Sequence, residues 1–536
     1  MADGSSPIDS PATSWAPLRN RLFATLWFAA LVSNVGSFMQ MVGAQWLLVN
    51  APHAAVMVSL VQTADMVPDL LFGVVGGVVA DMFDRRRLLI VVQGVLVAIG
   101  AVLTILAYLH RLGPALLLTL TFLLGFASVF TTPAYQAIIP ELIPRAQLAA
   151  ASSLGSISIN IARAAGPALA GVVIARAGVA AVFALNTATF LAFGVVVFLW
   201  RPEHLSVPQL PERFTSAIRA GGRYVRYSPV VRRVLIRAVL FLVPGSALWA
   251  LLPLVASRRL GMGAGGYGLL LGALGVGAIA GAFALPHLSS AVSDNALLVI
   301  SSVVYGAVLA IVGLIRIPVV SILVLLPAGM AWMAVLSSMN TEMQLFLPAW
   351  VRARGLSIYL MVFFGSQAFG SVLWGFVADP FGLVPTFLAS AALMVAGAAT
   401  VRVWPLIDTE GMDRRTAPPW PEPRLVVTPD KAEAPVVVQV TYVVAEEKER
   451  EFLKAMVRVR ESRLRTGADR WGIFRDGERA HVFVEIFIVS SWEEHMRQHA
   501  DRQTGTDVEF VAAVEVLSDP APQTAHLIAA DYSAFG

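Results

Sequence analysis

Between Leu22 and Ala64 the chain runs 43 residues without one Asp, Glu, Lys or Arg, and similar stretches return as far as Trp404. A water-soluble domain has too little polar surface to solvate what so much apolar helix would leave exposed; a bilayer solvates it directly. Only 14% of the 536 residues are charged, against the roughly one quarter usual in soluble domains, and 57% are hydrophobic. The chain therefore reads as an integral membrane protein. It has no cysteine, which excludes disulfides, thiolate metal sites and cysteine nucleophiles. Residues 1–17 are polar and lack a basic segment ahead of a short apolar core. No cleaved signal peptide is expected, and the first span should remain as an anchor.

A spanning helix needs about 20 apolar residues. Segments 22–49, 56–80, 88–109, 114–139, 147–175 and 177–200 meet that length, as do 236–257, 264–286, 295–315, 317–339, 355–378 and 382–404. The chain thus predicts twelve spans in two sets of six. Between the sets lies 201–235, with Pro202, Pro208, Pro211 and seven arginines. Basic residues favour the cytoplasmic side. With the N-terminus inside, fifteen arginines (19, 21, 85–87, 145, the seven of 201–235, 352 and 354) lie inside, against five outside (111, 176, 258, 259 and 316). Both termini and the central segment are therefore expected in the cytoplasm. The halves echo each other: Gln136-x3-Pro140 followed by Arg145 returns 208 residues later as Gln344-x3-Pro348 followed by Arg352.

Past Thr416 the character changes. Pro418, Pro419, Pro421 and Pro423 mark a linker. Strand-like runs at Val436–Val444, Trp471–Phe474, His481–Val489 and Ala525–Ala529 alternate with helical patterns at Glu446–Arg465 and Trp492–Val516, with a turn signal at Asp476-Gly477. The order β-α-β-β-α-β predicts a ferredoxin-like domain. The expected fold is an all-α membrane protein of twelve transmembrane helices in two six-helix bundles, with a small α+β soluble domain. The expected boundaries are 1–200 and 236–404 for the bundles, 201–235 for the central loop, 405–434 for the linker and 435–536 for the soluble domain.

Several polar residues interrupt the apolar spans. Asp65 and Asp69 lie one helical turn apart near the middle of span 2, and so share a face. Two neighbouring carboxylates repel, which favours holding a proton between them, the chemistry that proton coupling requires. Alternatively, Pro68 kinks the helix and both groups are simply hydrated. Arg163 lies near mid-span in span 5, where a charge costs roughly 2.5–3.5 kcal/mol on insertion scales, so function is its default reading. Around it, Gly155, Gly166, Pro167 and Gly171 form a small-residue surface for close helix packing. After span 2 comes Gly77-x3-Asp81-x2-Asp84-Arg85-Arg86-Arg87. Its arginines satisfy cytoplasmic anchoring on their own; its Gly and carboxylates allow close approach and pairing at a helix end. Amides such as Gln40, Gln45, Asn186 and Gln367 are expected to bridge helices, and Arg237 to lie near an interface, where snorkelling competes with function. Trp27, Phe38, Trp46 and Trp249 suit a cavity lining, and Trp46 and Trp249 equally suit the headgroup belt. The basic stretch 219–233, with Phe214, Tyr224 and Tyr227, is expected on the anionic inner leaflet. His495 and His499 have a metal-capable i, i+4 spacing, but no third ligand stands at an obvious distance, so a surface or interface helix is the reading and no metal or cofactor is expected. No P-loop, hydrolase triad, metalloprotease motif or nucleic-acid signature occurs, so neither enzymatic activity nor a nucleic-acid partner is expected.

The Gly77–Arg87 segment resembles the signature between spans 2 and 3 of the major facilitator superfamily, with Met82 and Asp84 departing from it. The Gly166-Pro167 stretch resembles the span-5 signature of facilitator antiporters, with Ala170 replacing a closing Gly. Pro140-Glu141-Leu142-Ile143-Pro144-Arg145, Asn160-x2-Arg163-x2-Gly166-Pro167-Ala168, Pro348-x-Trp350-Val351-Arg352-x-Arg354 and Arg463-x3-Gly467-Ala468-x2-Trp471 narrow the match. Over nearly its full length the chain resembles the bacterial facilitator branch that includes enterobactin exporters, described as transmembrane secretion effectors. The tail resembles members carrying a dimeric α/β-barrel-like appendage.

The resemblance implies a transporter of the bacterial inner membrane that exports small amphipathic molecules such as siderophores or drugs by alternating access, driven by a proton gradient. Spans 1, 4, 7 and 10 would line the cavity, and 2, 5, 8 and 11 would rock. Asp65, Asp69 and Arg163 would serve proton coupling; Gly77, Asp81, Asp84, Arg85, Arg86, Arg87, Arg145 and Arg352 would serve gating. The appendage would support a homodimer. An importer of the same fold, or a non-transporting receptor or scaffold acting through the tail, are the competing readings.

Overall fold

The computed structural model describes residues 15–200, 214–417 and 435–529. The polar N-terminal residues before 15, the part of the central segment holding Pro202, Pro208 and Pro211, and the Pro418–Pro423 linker lie outside the described residues.

The membrane helices are α1 (Arg21–Leu47), α2 (Ala54–Met82), α3 (Arg85–Tyr108), α4 (Pro114–Ser128), α5 (Thr131–Leu142) and α6 (Leu148–Leu199). A helix of the central segment, α7 (Phe214–Tyr227), precedes α8 (Pro229–Leu254), α9 (Ala264–Ala291), α10 (Asp294–Leu314), α11 (Pro318–Phe346), α12 (Ala349–Phe381) and α13 (Leu383–Ala399). Among the described residues eleven helical segments are long and apolar enough to cross a bilayer, α4 and α5 forming one of them. The 52-residue α6 would be about 78 Å long if straight, against a hydrocarbon core of about 30 Å. Gly178 breaks it, with φ 80° and ψ 174°, so α6 supplies two crossings and the total is twelve. Gly382, with φ 82° and ψ 172°, makes the corresponding turn between α12 and α13. Only glycine adopts this conformation at low cost, so the two halves share a turn as well as a sequence echo.

Local sequence explains several ends and breaks. Asn20 caps α1 by accepting from Leu22 N and Phe23 N. Span 4, expected as one helix, breaks at Val129–Phe130 into α4 and α5. Pro133 lacks an N–H, and its ring would collide with the carbonyl four residues earlier, that of Val129. Large apolar side chains such as Phe283 (79% exposed) and Leu71 (59% exposed) point outward, as lipid-facing positions should.

The chain separates into two compact units. One comprises 1–211, 236–339 and 360–405; the other gathers 212–235, 340–359 and 406–536. In the second, β1 (Val436–Val443), α14 (Glu449–Thr466), β2 (Ala468–Arg475), β3 (Val482–Val489), α15 (Trp492–Arg497), α16 (Gly505–Glu515) and β4 (Gln523–Ile528) follow in order. The antiparallel sheet has the order β2-β3-β1-β4. This is the ferredoxin-like arrangement expected from the element pattern. Alternate residues of β1 (Val436, Val438, Val440 and Tyr442) are buried under the helices, together with Phe452, Met456, Phe487 and Trp492. The tail's second helical run is interrupted: a π turn at Gln498–Arg502 follows α15, and Thr504 with Asp507 forms the capping box that starts α16.

Candidate functional site

Within the membrane unit, α1, α2, α6, α8, α9, α11 and α12 enclose a cavity of about 270 Å³. Its wall is largely aromatic: Phe38, Trp249, Trp332, Phe363 and Phe364, with Met41 and Leu271. Trp332 packs tilted against Trp249, Tyr305 and Phe241 at ring separations of 5.4–5.7 Å, which fixes that wall. Trp249 is therefore a cavity residue and not a headgroup anchor, and Phe38 stands with it.

Two charged side chains, Asp65 and Arg163, reach this lining. Asp65 also borders a smaller cavity edged by Gln40, Thr121 and Asn186. Arg163 lies 6.0 Å over the Phe38 ring and donates to Asn160 Oδ1 at 3.5 Å. Among the described residues no ion pair joins Arg163 to Asp65 or Asp69. Asp69, one turn further along α2, is absent from both linings. The structure thus brings Asp65 and Arg163 to one space and leaves Asp69 outside it.

Where α1 ends and α2 begins, the two six-helix halves are fastened by hydrogen bonds. Tyr267 Oη donates to Gln45 Oε1 at 2.5 Å, while Gln45 Nε2 donates to the Trp249 carbonyl at 3.4 Å. Gln62 donates to Gln367 (3.4 Å), Thr63 to the Ala368 carbonyl (3.2 Å) and Arg258 to the Val49 carbonyl (3.2 Å). His53 Nδ1 and Asp379 Oδ2 lie 2.6 Å apart at the rim. The amides expected to bridge helices do so here, and Gln40 pairs with Asn186 inside the first half. That Gln45 and Gln367 close one half onto the other is invisible in sequence, since their partners lie 204–305 residues away.

The loop after α2 uses its charges within the first half. Asp84 caps α3 through Arg87 N at 2.7 Å. Arg85 donates to the Ala137 carbonyl (2.9 Å) and pairs with Glu141 (2.6 Å) on α5. Arg86 donates to the Val197 and Phe198 carbonyls at the end of α6, where the helix has unsatisfied acceptors. Arg237, expected near an interface, lies against the end of the last span, where it is buried (2% exposed) and donates to the carbonyls of Gly397 and Trp404. Those carbonyls gather partial negative charge, which is what buries the guanidinium.

The small-residue surface of span 5 is partly as expected. A Cβ at Gly166 would meet Phe38 Cβ at 2.7 Å; one at Gly171 would meet the Ala264 carbonyl oxygen at 2.9 Å and Gly268 Cα at 3.0 Å. On α9, Gly268 and Gly275 face Pro167, Gly171 and Ala164 in return. Gly155 and Gly77 differ from expectation: nothing lies within 4 Å of a Cβ at either. The close approach near Gly77 falls one residue earlier, where Gly76 abuts the Val129 carbonyl at the α4–α5 break. One residue is a 100° rotation around the helix, enough to exchange a packed face for an open one.

In the other unit, Arg223 of the central-segment helix is turned to acidic residues of the tail. Arg223 pairs with Asp469 and Glu494 of the tail, both at 3.1 Å, and Tyr224 is 3% exposed, edge-on to Trp350 and beneath Arg465. The inner-leaflet expectation is corrected for Arg223, whose guanidinium is taken by Asp469 and Glu494. Glu494 is also gripped by both Arg502 terminal nitrogens, while Arg502 stacks 4.9 Å from the Trp350 ring. Burial alone would raise the Glu494 carboxyl, but Arg502 and Arg223 outweigh it and hold it below its ordinary range. Arg352 donates to the Leu347 carbonyl at 3.1 Å, bracing the turn into α12. Deeper in the tail, fully buried Glu485 accepts from Trp471 Nε1 (2.8 Å), Tyr442 Oη (3.0 Å) and Arg463 Nε (3.3 Å). The histidine pair is corrected as well: His495 is 1% exposed, not on a surface, and β4 brings His526 beside it.

Known proteins agree with this architecture. The family model described as "Transmembrane secretion effector" matches residues 12–533. The chain is 28% identical to the staphyloferrin A transporter of Staphylococcus aureus over 66% of its length and 88% of the relative's. It is 26% identical to the multidrug efflux pump Tap of Mycolicibacterium fortuitum (70% and 93%), and 28% identical to the enterobactin exporter EntS of Citrobacter koseri (65% and 82%). In fold it is similar to a bacterial homologue of the lysosomal transporter Spinster in an inward-facing, occupied conformation, with a TM-score of 0.59 at 13% identity over 74% of this chain and 97% of that one. These relatives are transporters and not enzymes. The chain belongs to the transmembrane secretion effector family of major facilitator transporters, as a multi-pass membrane protein.

Proposed function

We propose that this protein is a secondary active exporter of small amphipathic molecules, drugs or siderophores, and that it exchanges them for protons. The observation that carries the reading is the aromatic cavity holding one carboxylate, Asp65, and one guanidinium, Arg163. Aromatic walls suit planar apolar cargo of varied shape, and the two charges give a cation or proton and an anionic group places to bind. The efflux and siderophore names of the relatives support the same class. Asp65 is the proton carrier in this scheme, Asp69 a neighbour that biases it, and Arg163 the competitor that favours the ionised state.

With both termini cytoplasmic, in a bacterial inner membrane, the fastened end of the bundle is the outer face and the described state opens inward. Arg85 with Glu141, the Asp81–Arg87 loop, Arg145 and Arg352 then belong to the inner gate, which closes as the outer hydrogen bonds part. The 1–200 and 236–404 bundles rock as bodies, and the 435–536 domain, through the open face of its sheet around Val437, Ile486 and Leu527, pairs two copies.

The test is flux in proteoliposomes of defined orientation, with a fluorescent dye and an iron-free siderophore under an imposed pH gradient. Outward movement driven by inward protons, abolished in Asp65→Asn, is expected. Movement in the opposite direction identifies an importer. Zero flux with correctly folded protein refutes transport and favours the scaffold reading.

A further inference from the structure

The tail contains a histidine cluster that nothing in the transport scheme uses. His495 on α15 and His499 on the following π turn face each other with Nε2 atoms 3.1 Å apart. His526, on edge strand β4, lies on the helix-facing side of the sheet opposite Val438, with its ring centroid 5.1 Å from that of His495. One ligand nitrogen from each ring falls within 4.8 Å of the other two. Tetrahedral coordination at metal–nitrogen distances of about 2.05 Å places ligand nitrogens about 3.3 Å apart. The first pair already has that separation, and the third needs at most about 1.5 Å of adjustment, from an edge-strand side chain paired on one side only.

We propose that His495, His499 and His526 form a three-imidazole site for a divalent first-row transition ion, Zn²⁺ above all, with the fourth position left to water. Three nitrogen donors without thiolate or carboxylate suit zinc and its neighbours and disfavour magnesium and calcium. His526 Nε2 is buried without a hydrogen-bond partner among the described residues, the condition of a ligand atom awaiting its ion. Burial disfavours the charged imidazolium at all three rings, and the neutral imidazole is the form that binds a metal. Burial, then His499 and His526, lowers His495 to about 3; burial and Arg463 lower His499 to about 4; burial lowers His526.

The position gives the ion a consequence. His495 directly follows Glu494, which holds Arg223 of the central-segment helix, and His526 lies on the last strand. A bound ion cross-links β4 to the segment that grips α7. Occupancy then sets how firmly the tail holds that helix.

The experiment uses the full chain in detergent, purified without a histidine tag and stripped with chelator. Addition of Co²⁺ should give a visible d–d spectrum of tetrahedral intensity, saturating at one equivalent and displaced by one equivalent of Zn²⁺. His495→Gln and His526→Gln should each weaken binding more than about a hundredfold, beyond the roughly 10–100-fold cost of removing an outer-sphere partner. His287→Gln, at a surface position elsewhere, should bind as the parent does. Hydrogen exchange of residues 523–528 should slow at least tenfold with Zn²⁺. Absence of a tetrahedral spectrum in the parent overturns the site without recourse to any variant. Binding that survives both substitutions also overturns it, as adventitious.

Discussion

Removing one hydroxyl should loosen the end of the bundle where the two halves are fastened. The Tyr267 hydroxyl donates to Gln45 Oε1 at 2.5 Å, and both residues are buried (1% and 3% exposed). Tyr267→Phe keeps the ring that stacks on Trp46 and deletes only the donor. In the fastened state Gln45 Oε1 then lacks that donor, whereas after opening water satisfies it. The substitution therefore penalises the fastened state selectively, by about 1–3 kcal/mol. That is a shift of roughly 5–150-fold in the opening equilibrium, at 1.4 kcal/mol per tenfold. Because the chain has no cysteine, Val49→Cys gives a background-free reporter, at a position 2% exposed in the fastened state. Its maleimide labelling rate reports the opened fraction when opening and closing are fast. Tyr305→Phe supplies the control: Tyr305 Oη donates to the Gly245 carbonyl at 3.2 Å, wholly within the second half, so labelling should stay near the parent rate. Labelling of Tyr267→Phe within twofold of the parent, or an equal rise in Tyr305→Phe, refutes the assignment of this contact as a gate.

Further expectations concern packing and the tail. Gly171→Leu forces a side chain onto the Ala264 carbonyl and Gly268, neither of which can retreat without parting α6 from α9. Overpacking of this kind costs about 1–3 kcal/mol, and substrate flux should fall at least fivefold, whereas Gly155→Ala, in open space, should retain it. Glu485→Leu removes the buried carboxylate that faces the Arg463 guanidinium and should destabilise the sheet by about 3–5 kcal/mol, read as hydrogen exchange of β1 and β3 several hundredfold faster. Replacing both partners by Leu should recover much of that loss, and a double variant as unstable as the single one would count against the reasoning. Burial alone would raise the Asp507 carboxyl, but Arg465, with Ser462 and Thr504, holds it below the ordinary range. Its contribution is therefore complete above about pH 4 and lost as pH falls through its lower folded value. Asp507→Asn should weaken α16 at neutral pH and flatten this acid dependence, measured by exchange of residues 505–515.

The sequence by itself determined the class of the protein. Charge-free runs demand a bilayer whatever they pack against, and alternation in the tail gave strands that the sheet confirms in order and pairing. Such signals are local, lying within one helix or one strand, so tertiary context had little to override. The boundary between spans 5 and 6 was legible too, near Gly178, whereas the break of span 4 ahead of Pro133 was not, because the apolar run continues across it. Pairings between distant segments were not legible. Sequence placed Asp65 and Arg163 in different spans, and only helix packing brings them to one cavity while leaving Asp69 off its wall. Tertiary structure also turned Arg223 from a headgroup anchor into a partner of Asp469 and Glu494, and added His526 to a pair that lacked a third ligand. A polar side chain takes the partner that desolvates with it, and which partner arrives is fixed by contacts spanning hundreds of residues, where periodicity carries no information.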